Sequence, residues 1–275
     1  MARTNYLRRL NQALQIISPW TAGTQRDHCR RLPSAANALD IFDGEWISRL
    51  PNGLGGGDVA LFEDQRIHDL IAAAGGVEGK SILELGPMEG AHSAMLQQAG
   101  AASVLGLEAG SRLFLRCLVV KEALNLDRVR FMLGDFNKHL AQDVSYDMIL
   151  ASGVIYQSAN PVELLANMCR AAPQIAIWSH YYEADAVRAR YGSRFDHKAE
   201  RVSFEGIEAQ CYRHNYGASL RKGNFCGGVN TQTRWMDWDS WVRILDGQGF
   251  DLQVLSRSSD HPNGPQFTGL AVRRA

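Results

Sequence analysis

A chain of 275 residues with 29 Lys and Arg against 29 Asp and Glu is electrically balanced, and its basic residues are scattered apart from short pairs such as Arg8-Arg9, Arg30-Arg31 and Arg273-Arg274. That balance argues against the basic footprint of a nucleic-acid or anionic-membrane binder, so neither is expected as a partner. The five cysteines, Cys29, Cys117, Cys169, Cys211 and Cys226, lie far apart without C-x-x-C or His/Cys metal spacing, which implies ordinary buried thiols, a reducing cytoplasmic setting and no metal site.

In chain order, residues 1–60 read as an N-terminal lid, with a helix near Tyr6 to Ile17 and then the Pro/Gly-punctuated "DGEWISRLPNGLGGGD". No stretch is long and apolar enough to span a bilayer. Residues 61–275 read as one α/β domain in which short apolar runs alternate with stretches of helical period. The strand-like "SILELG" precedes the helical "GAHSAMLQQAG", "SVLGLEAG" precedes "SRLFLRCLVVKEALNL", and "VRFMLGDF" follows. After these come "YDMILASGV", the helix "NPVELLANMCRAA" and the strand "QIAIWSH". Such alternation predicts right-handed crossovers and a doubly wound, mostly parallel sheet covered on both faces. Residues 180–234, rich in aromatics, Arg and Gly, break the alternation and read as a cap inserted after the fifth strand. "GFDLQVLSRS" and "PQFTGLAVRR" read as closing strands that pair antiparallel.

In a sheet of this kind ligands sit beyond the carboxyl ends of the strands. The turn after the first strand carries Gly86 and Gly90, with Met88 where a third glycine might stand. Glycine permits close backbone approach, and the following helix offers free N–H groups to an anion. Glu108 ends the next strand about 20 residues on, where a carboxylate can hold both hydroxyls of a ribose. Asp135 ends the strand after that, in reach of an adenine amino group. Bulky Pro87 and Met88, and the acid Glu89, make a poor seat for a dinucleotide's pyrophosphate, and Glu84 favours a ligand with a cationic end. A donor with an amino-acid tail, a ribose and an adenine fits all of these features.

The ordered set "ILELGPMEGAHS", "VLGLEAG", "LGDF" and "YDMILASGVIYQSANPVELL" resembles the successive motifs of class I S-adenosylmethionine-dependent methyltransferases. Locally, "GVIYQSANP" is similar to segments of bacterial tRNA wobble-uridine carboxymethyltransferases and of sugar or natural-product methyltransferases, with Gln157 where those often carry His. The resemblance implies S-adenosyl-L-methionine as cofactor. Gly86, Pro87, Met88 and Gly90 would shape the turn under its methionine portion, and Glu84 would help to hold its amino group. Glu108 would take the ribose, Asp135 and the backbone of Phe136 the adenine, while Ser152, Gly153 and Tyr156 would line the floor near the methyl group.

Methyl transfer to a hydroxyl needs in-line approach, a dry cavity and removal of a proton, but no metal. His180, closing the fifth strand, is the expected general base, with His214 and Tyr156 as further candidates. The aromatic residues Tyr181, Tyr182, Tyr191, Phe204, Tyr212, Tyr216 and Phe225 suggest either a cap over an organic acceptor or the cap's own core, and Tyr6, Trp20 and Trp46 a roof. The expectation is O-methylation of a small organic acceptor by a soluble protein whose oligomeric state, homodimer included, stays open. A tRNA-modifying enzyme and a noncatalytic cofactor-binding protein remain as alternatives.

Overall fold

The computed structural model describes residues 28–216 and 230–275. The expected helix at Tyr6 to Ile17, and Tyr6, Trp20, Phe225 and Cys226, lie outside the described residues. Among the described residues ten strands run in chain order as β1 Ser81–Leu85, β2 Ser103–Glu108, β3 Val129–Leu133, β4 Met148–Ser152 and β5 Gln174–His180, then β6 Glu200–Phe204, β7 Ile207–Asn215, β8 Gln232–Met236, β9 Phe250–Ser258 and β10 Gln266–Arg273. Seven of them form one sheet in the order β3-β2-β1-β4-β5-β10-β9. The first five are parallel, and β10 runs antiparallel to both β5 and β9. The doubly wound, mostly parallel sheet expected from the alternation is the fold of the protein.

The strands read as continuous apolar runs because both faces of the sheet are covered. Successive side chains fall into different cores. Leu83, Ile149, Ile175 and Ile177 pack with the helices Pro161–Ala171 and Trp238–Gly247. Ile82, Met148, Leu150 and Ala176 pack on the other face with Gln65–Ala73, Ala91–Gln98 and Ser111–Ala123. Local chemistry starts these helices where the sheet needs them. Asp64 caps Gln65–Ala73 by accepting from the Arg66 N–H, Asn160 precedes Pro161 and accepts from the Glu163 N–H, and Asp237 accepts from the Ser240 N–H.

After β5 the chain leaves the sheet. The antiparallel sheet β6-β7-β8 packs against Pro161–Ala171 and Trp238–Gly247, and the helix Ala184–Tyr191 turns Val187 toward Tyr182, Phe195 and Trp235. Tyr182 stacks on Tyr212 at 3.4 Å, and His214 stacks on Phe195 at 4.5 Å. These rings form a small core of their own beneath the cap.

On the other side, residues 45–59 form a strap. Ser48 bridges Val59 and Arg49 bridges Gly56, so the strap doubles back on itself. Gly57 makes this possible, since a Cβ there would lie 2.4 Å from the carbonyl oxygens of Trp46 and Ile47. The strap is tied to the first turn of the sheet through Glu89, which is wholly buried. Its carboxylate accepts from the Ile47 N–H at 3.1 Å, the Ser48 N–H at 2.8 Å and Arg116 Nη1 at 2.5 Å.

Two expected outcomes follow from these burials. Arg116→Met leaves the Glu89 carboxylate buried without its cation and should cost roughly 3–5 kcal/mol, or about 10 °C in Tm by calorimetry, whereas Arg112→Met, which removes an exposed ion pair with Glu45, should cost under about 1 kcal/mol. Burial also pushes His180 and His214 down to about 4. The unfolded chain binds these protons near pH 6.5 and the folded chain does not until about pH 4, so stability is lost as pH falls through that window. Replacing one such ring, as in His214→Phe, should shrink the stability difference between pH 7 and pH 5 by about 2 kcal/mol in denaturant titrations at the two pH values.

Candidate active site

A cavity of about 790 Å³ opens beyond the carboxyl ends of the parallel strands. That is the size of pocket that encloses a nucleoside-sized ligand with a second small molecule. The turn after β1 forms its floor. Gly86 has φ +63 and a Cβ there would meet Val154 Cγ1 at 2.8 Å, while Met88 itself adopts a left-handed φ of 57. The position where a third glycine might stand therefore has a glycine-like backbone, with the Met88 side chain in the cavity wall. Gly90 lies outside the wall, where its missing Cβ makes room for the Phe131 ring.

Glu108, at the end of β2, is 5% exposed and faces the cavity. Its Oε2 accepts from the Met88 N–H at 3.0 Å and its Oε1 from the Gly110 N–H at 2.8 Å. Burial raises its pKa, and these backbone donors act in the opposite direction. Each oxygen keeps a lone pair, so the carboxylate can still accept a pair of hydroxyls. Asp135 lies two residues beyond β3 and caps the helix Phe136–Leu140 through Oδ1, which accepts from the Asn137 N–H at 2.9 Å. Its Oδ2 is left to accept from a ligand amino group. Asp135, Phe136, Ser152 and Gly153 all line the cavity.

At the other end of the strand edge, four strand spacings or roughly 19 Å away, the wall changes character. Trp178, on β5, is held by its indole N–H donating to Gln266 Oε1 at 2.8 Å. The Arg66 guanidinium lies over the Trp178 ring, 4.3 Å from its centroid. Arg66 is fixed in turn by Asp64, with Nε 2.9 Å from Oδ1 and Nη2 2.5 Å from Oδ2. These contacts and His92 hold the Asp64 carboxyl well below the usual carboxylate range against the opposing pull of burial. His261 reaches the same place from the β9–β10 loop, because the pairing of Gln266 with both His180 and Ser258 brings that loop to the end of β5. Ile47, Val59 and Leu61 cover the cavity from the strap side, while Trp46 turns its indole N–H to the Leu39 carbonyl and is absent from the wall.

Several residues expected at the site stand behind it. Glu84 is buried, accepts a hydrogen bond from Ser93 Oγ and lies 3.8 Å from His92 Nδ1, so His92 rather than Glu84 meets the cavity. Burial raises the Glu84 pKa. His180 is 2% exposed, donates from Nδ1 to the Pro265 carbonyl at 3.0 Å, and stacks on Trp235 with Trp178 and Tyr156 at its edges. Neither it nor Tyr156 lines the cavity. His214 belongs to β7 and the cap core, its Nδ1 buried with no hydrogen-bond partner among the described residues. The described aromatic residues of the cap likewise stay out of the wall. Arg66, His92, Trp178 and His261, which do line it, were not singled out by motif spacing. Among the described residues no cluster of His, Cys, Asp or Glu is arranged to hold a metal ion, and no helix is long and apolar enough to cross a membrane.

Residues 77–244 match a family described as a methyltransferase domain. The N-terminal domain of EvdMO1, crystallised in the presence of S-adenosylhomocysteine and D-fucose, superposes with a TM-score of 0.66 at 20% identity, over 88% of this chain and 95% of that one. Magnesium protoporphyrin IX methyltransferase from Synechocystis PCC 6803 with bound S-adenosylhomocysteine gives 0.54 at 16% identity, over 86% and 97% of the two chains. The 1,6-didemethyltoxoflavin-N1-methyltransferase of Burkholderia thailandensis, with 1,6-didemethyltoxoflavin and S-adenosylhomocysteine bound, gives 0.51 at 12% identity, over 90% and 94%. No curated protein matches the sequence. The family match spans more than half of the chain and falls on the strands whose ends carry Glu108 and Asp135, and the chain accordingly belongs to the methyltransferase-domain family as a class I S-adenosylmethionine-dependent methyltransferase.

Proposed function

We propose that the protein transfers a methyl group from S-adenosylmethionine to an oxygen of a small organic acceptor that enters beside Trp178. The observation that carries the cofactor half of this reading is Glu108, a cavity-facing carboxylate oriented by two backbone N–H groups at the end of β2. The cofactor, when bound, would supply a methyl group activated by its sulfonium, which takes back the carbon–sulfur electron pair, and a hydroxyl acceptor would give up its proton as its oxygen gains the methyl. The chain's own residues do the rest. Glu108 and Asp135 accept hydrogen bonds from ribose and adenine, the apolar roof of Ile47, Val59 and Leu61 excludes water, and the Trp178 side holds the acceptor in line.

In this reading His180 is a positioning residue. Its donation to Pro265 and its edge-on contact with Trp178 set the wall that the acceptor touches. The same tautomer leaves the Nε2 lone pair as the ring's basic site, so a direct role in proton removal has a clear signature. A small-molecule acceptor also suits the neutral chain, and no salt-sensitive binding of bulk tRNA is expected in gel-shift experiments at physiological ionic strength.

Calorimetric titration with S-adenosylhomocysteine tests the assignment. Glu108→Ala should weaken binding by roughly 10–100-fold, the range for losing hydrogen bonds to a charged group, and added Mg²⁺ should change nothing. Full affinity in the variant, or affinity that needs the metal, would place the cofactor elsewhere. His180→Asn should keep donor affinity and should lower turnover without removing a limb of the pH profile. Loss of such a limb, with a drop of about 10²–10⁴-fold, would make His180 the base itself.

A further inference from the structure

The two ends of the cavity differ in hydrogen-bonding sense. At the cofactor end the charged groups, Glu108 and Asp135, accept hydrogen bonds. Around Trp178 the fixed groups donate them. Asp64 occupies one side of the Arg66 guanidinium, the Nε and Nη2 edge. A guanidinium has five N–H groups, and the end-on pair from Nη1 and Nη2 has no partner among the described residues, although the side chain is one-third exposed and lines the cavity. That pair has the spacing of a carboxylate. The Trp178 ring beneath it and Asp64 beside it keep the fork in place, so little side-chain freedom is lost on binding.

His261 adds a second donor. Its Nδ1 accepts from the Asn263 N–H at 3.1 Å, which puts the proton of the neutral ring on Nε2. Burial, with the charges of Arg66 and Arg190, lowers its pKa, so the neutral ring is the form present near pH 7. Asp64, the nearby carboxylate, is turned to Arg66 and to His92, 3.2 Å from Nε2, and closes the N-terminus of the helix Gln65–Ala73. A ligand group that only accepts hydrogen bonds fits this end, and one that must donate them finds no charged acceptor.

We propose that the methyl acceptor is an anionic small molecule, and that Arg66 and His261, flanking Trp178, form the subsite that takes its carboxylate. The proposal rests on the cofactor reading above only in assigning the remaining end of the cavity to the acceptor.

The test uses the full chain and two probes of one shape, benzoate and benzamide, titrated by NMR with the Trp178 indole N–H as reporter, in the presence of saturating S-adenosylhomocysteine and in its absence. Benzoate should shift that resonance saturably and bind about tenfold or more tightly than benzamide, the discrimination expected from hydrogen bonds to a charged group. Arg66→Gln should abolish the preference while S-adenosylhomocysteine still binds, which shows that the variant is folded, and Arg66→Lys should restore part of it. Equal binding of the two probes, no saturable shift with either, or a preference that survives Arg66→Gln would overturn the proposal. Failure of S-adenosylhomocysteine to bind while benzoate discrimination persists would instead overturn the cofactor assignment and leave the anion subsite standing.

Discussion

The site depends on one buried carboxylate. Glu89 lies in the turn between β1 and the helix Ala91–Gln98, has no exposed surface, and is held by two backbone N–H groups of the strap and by Arg116. A charge removed from water is tolerable only with such a set of donors. Its orientation gives the turn two sides. Residues 86–88 face the cavity, while Glu89 faces away and draws Ile47 over the top. The acid expected to repel a pyrophosphate is thus turned away from the ligand side and neutralised by Arg116, and it serves instead as the anchor that roofs the cavity.

The sheet was legible because strands covered on both faces must be apolar at every position, and the alternation of strand and helix leaves few topologies. Glu108 and Asp135 were legible for a related reason: a carboxylate ending a parallel strand lands on the ligand edge whatever the rest of the chain does. Side-chain direction within that edge was less legible. His180 ends β5 where expected, but strand residues two apart share a face, and Trp178 stands between its ring and the cavity. His214, a further candidate base by sequence, belongs to β7, because the cap carries a sheet that the aromatic-rich sequence did not announce by alternation.

Arg66, Trp178 and His261 were out of reach for a simpler reason. They meet only because β10 returns antiparallel beside β5 and carries the β9–β10 loop back to the ligand edge. Nothing in their spacing along the chain records that return. Arg66 stands at the start of the helix Gln65–Ala73, and its role follows from the capping residue Asp64, which pins the guanidinium over an indole two-thirds of the way down the sequence.

The two walls of the cavity differ in how the chain encodes them. The cofactor wall comes from the consecutive strands β1, β2 and β3 and the turns that follow them, so one stretch of sequence carries nearly all of it. The opposite wall is gathered from a helix start, a strand end and a hairpin tip with no sequence continuity among them. Inheritance acts on these halves differently. The first half is constrained as a block, since a shift in any strand register displaces its neighbours, whereas the tip of the hairpin can exchange residues without disturbing a single rung of the parallel ladder. Descendants of such a protein can therefore retain one donor while diversifying in what they modify.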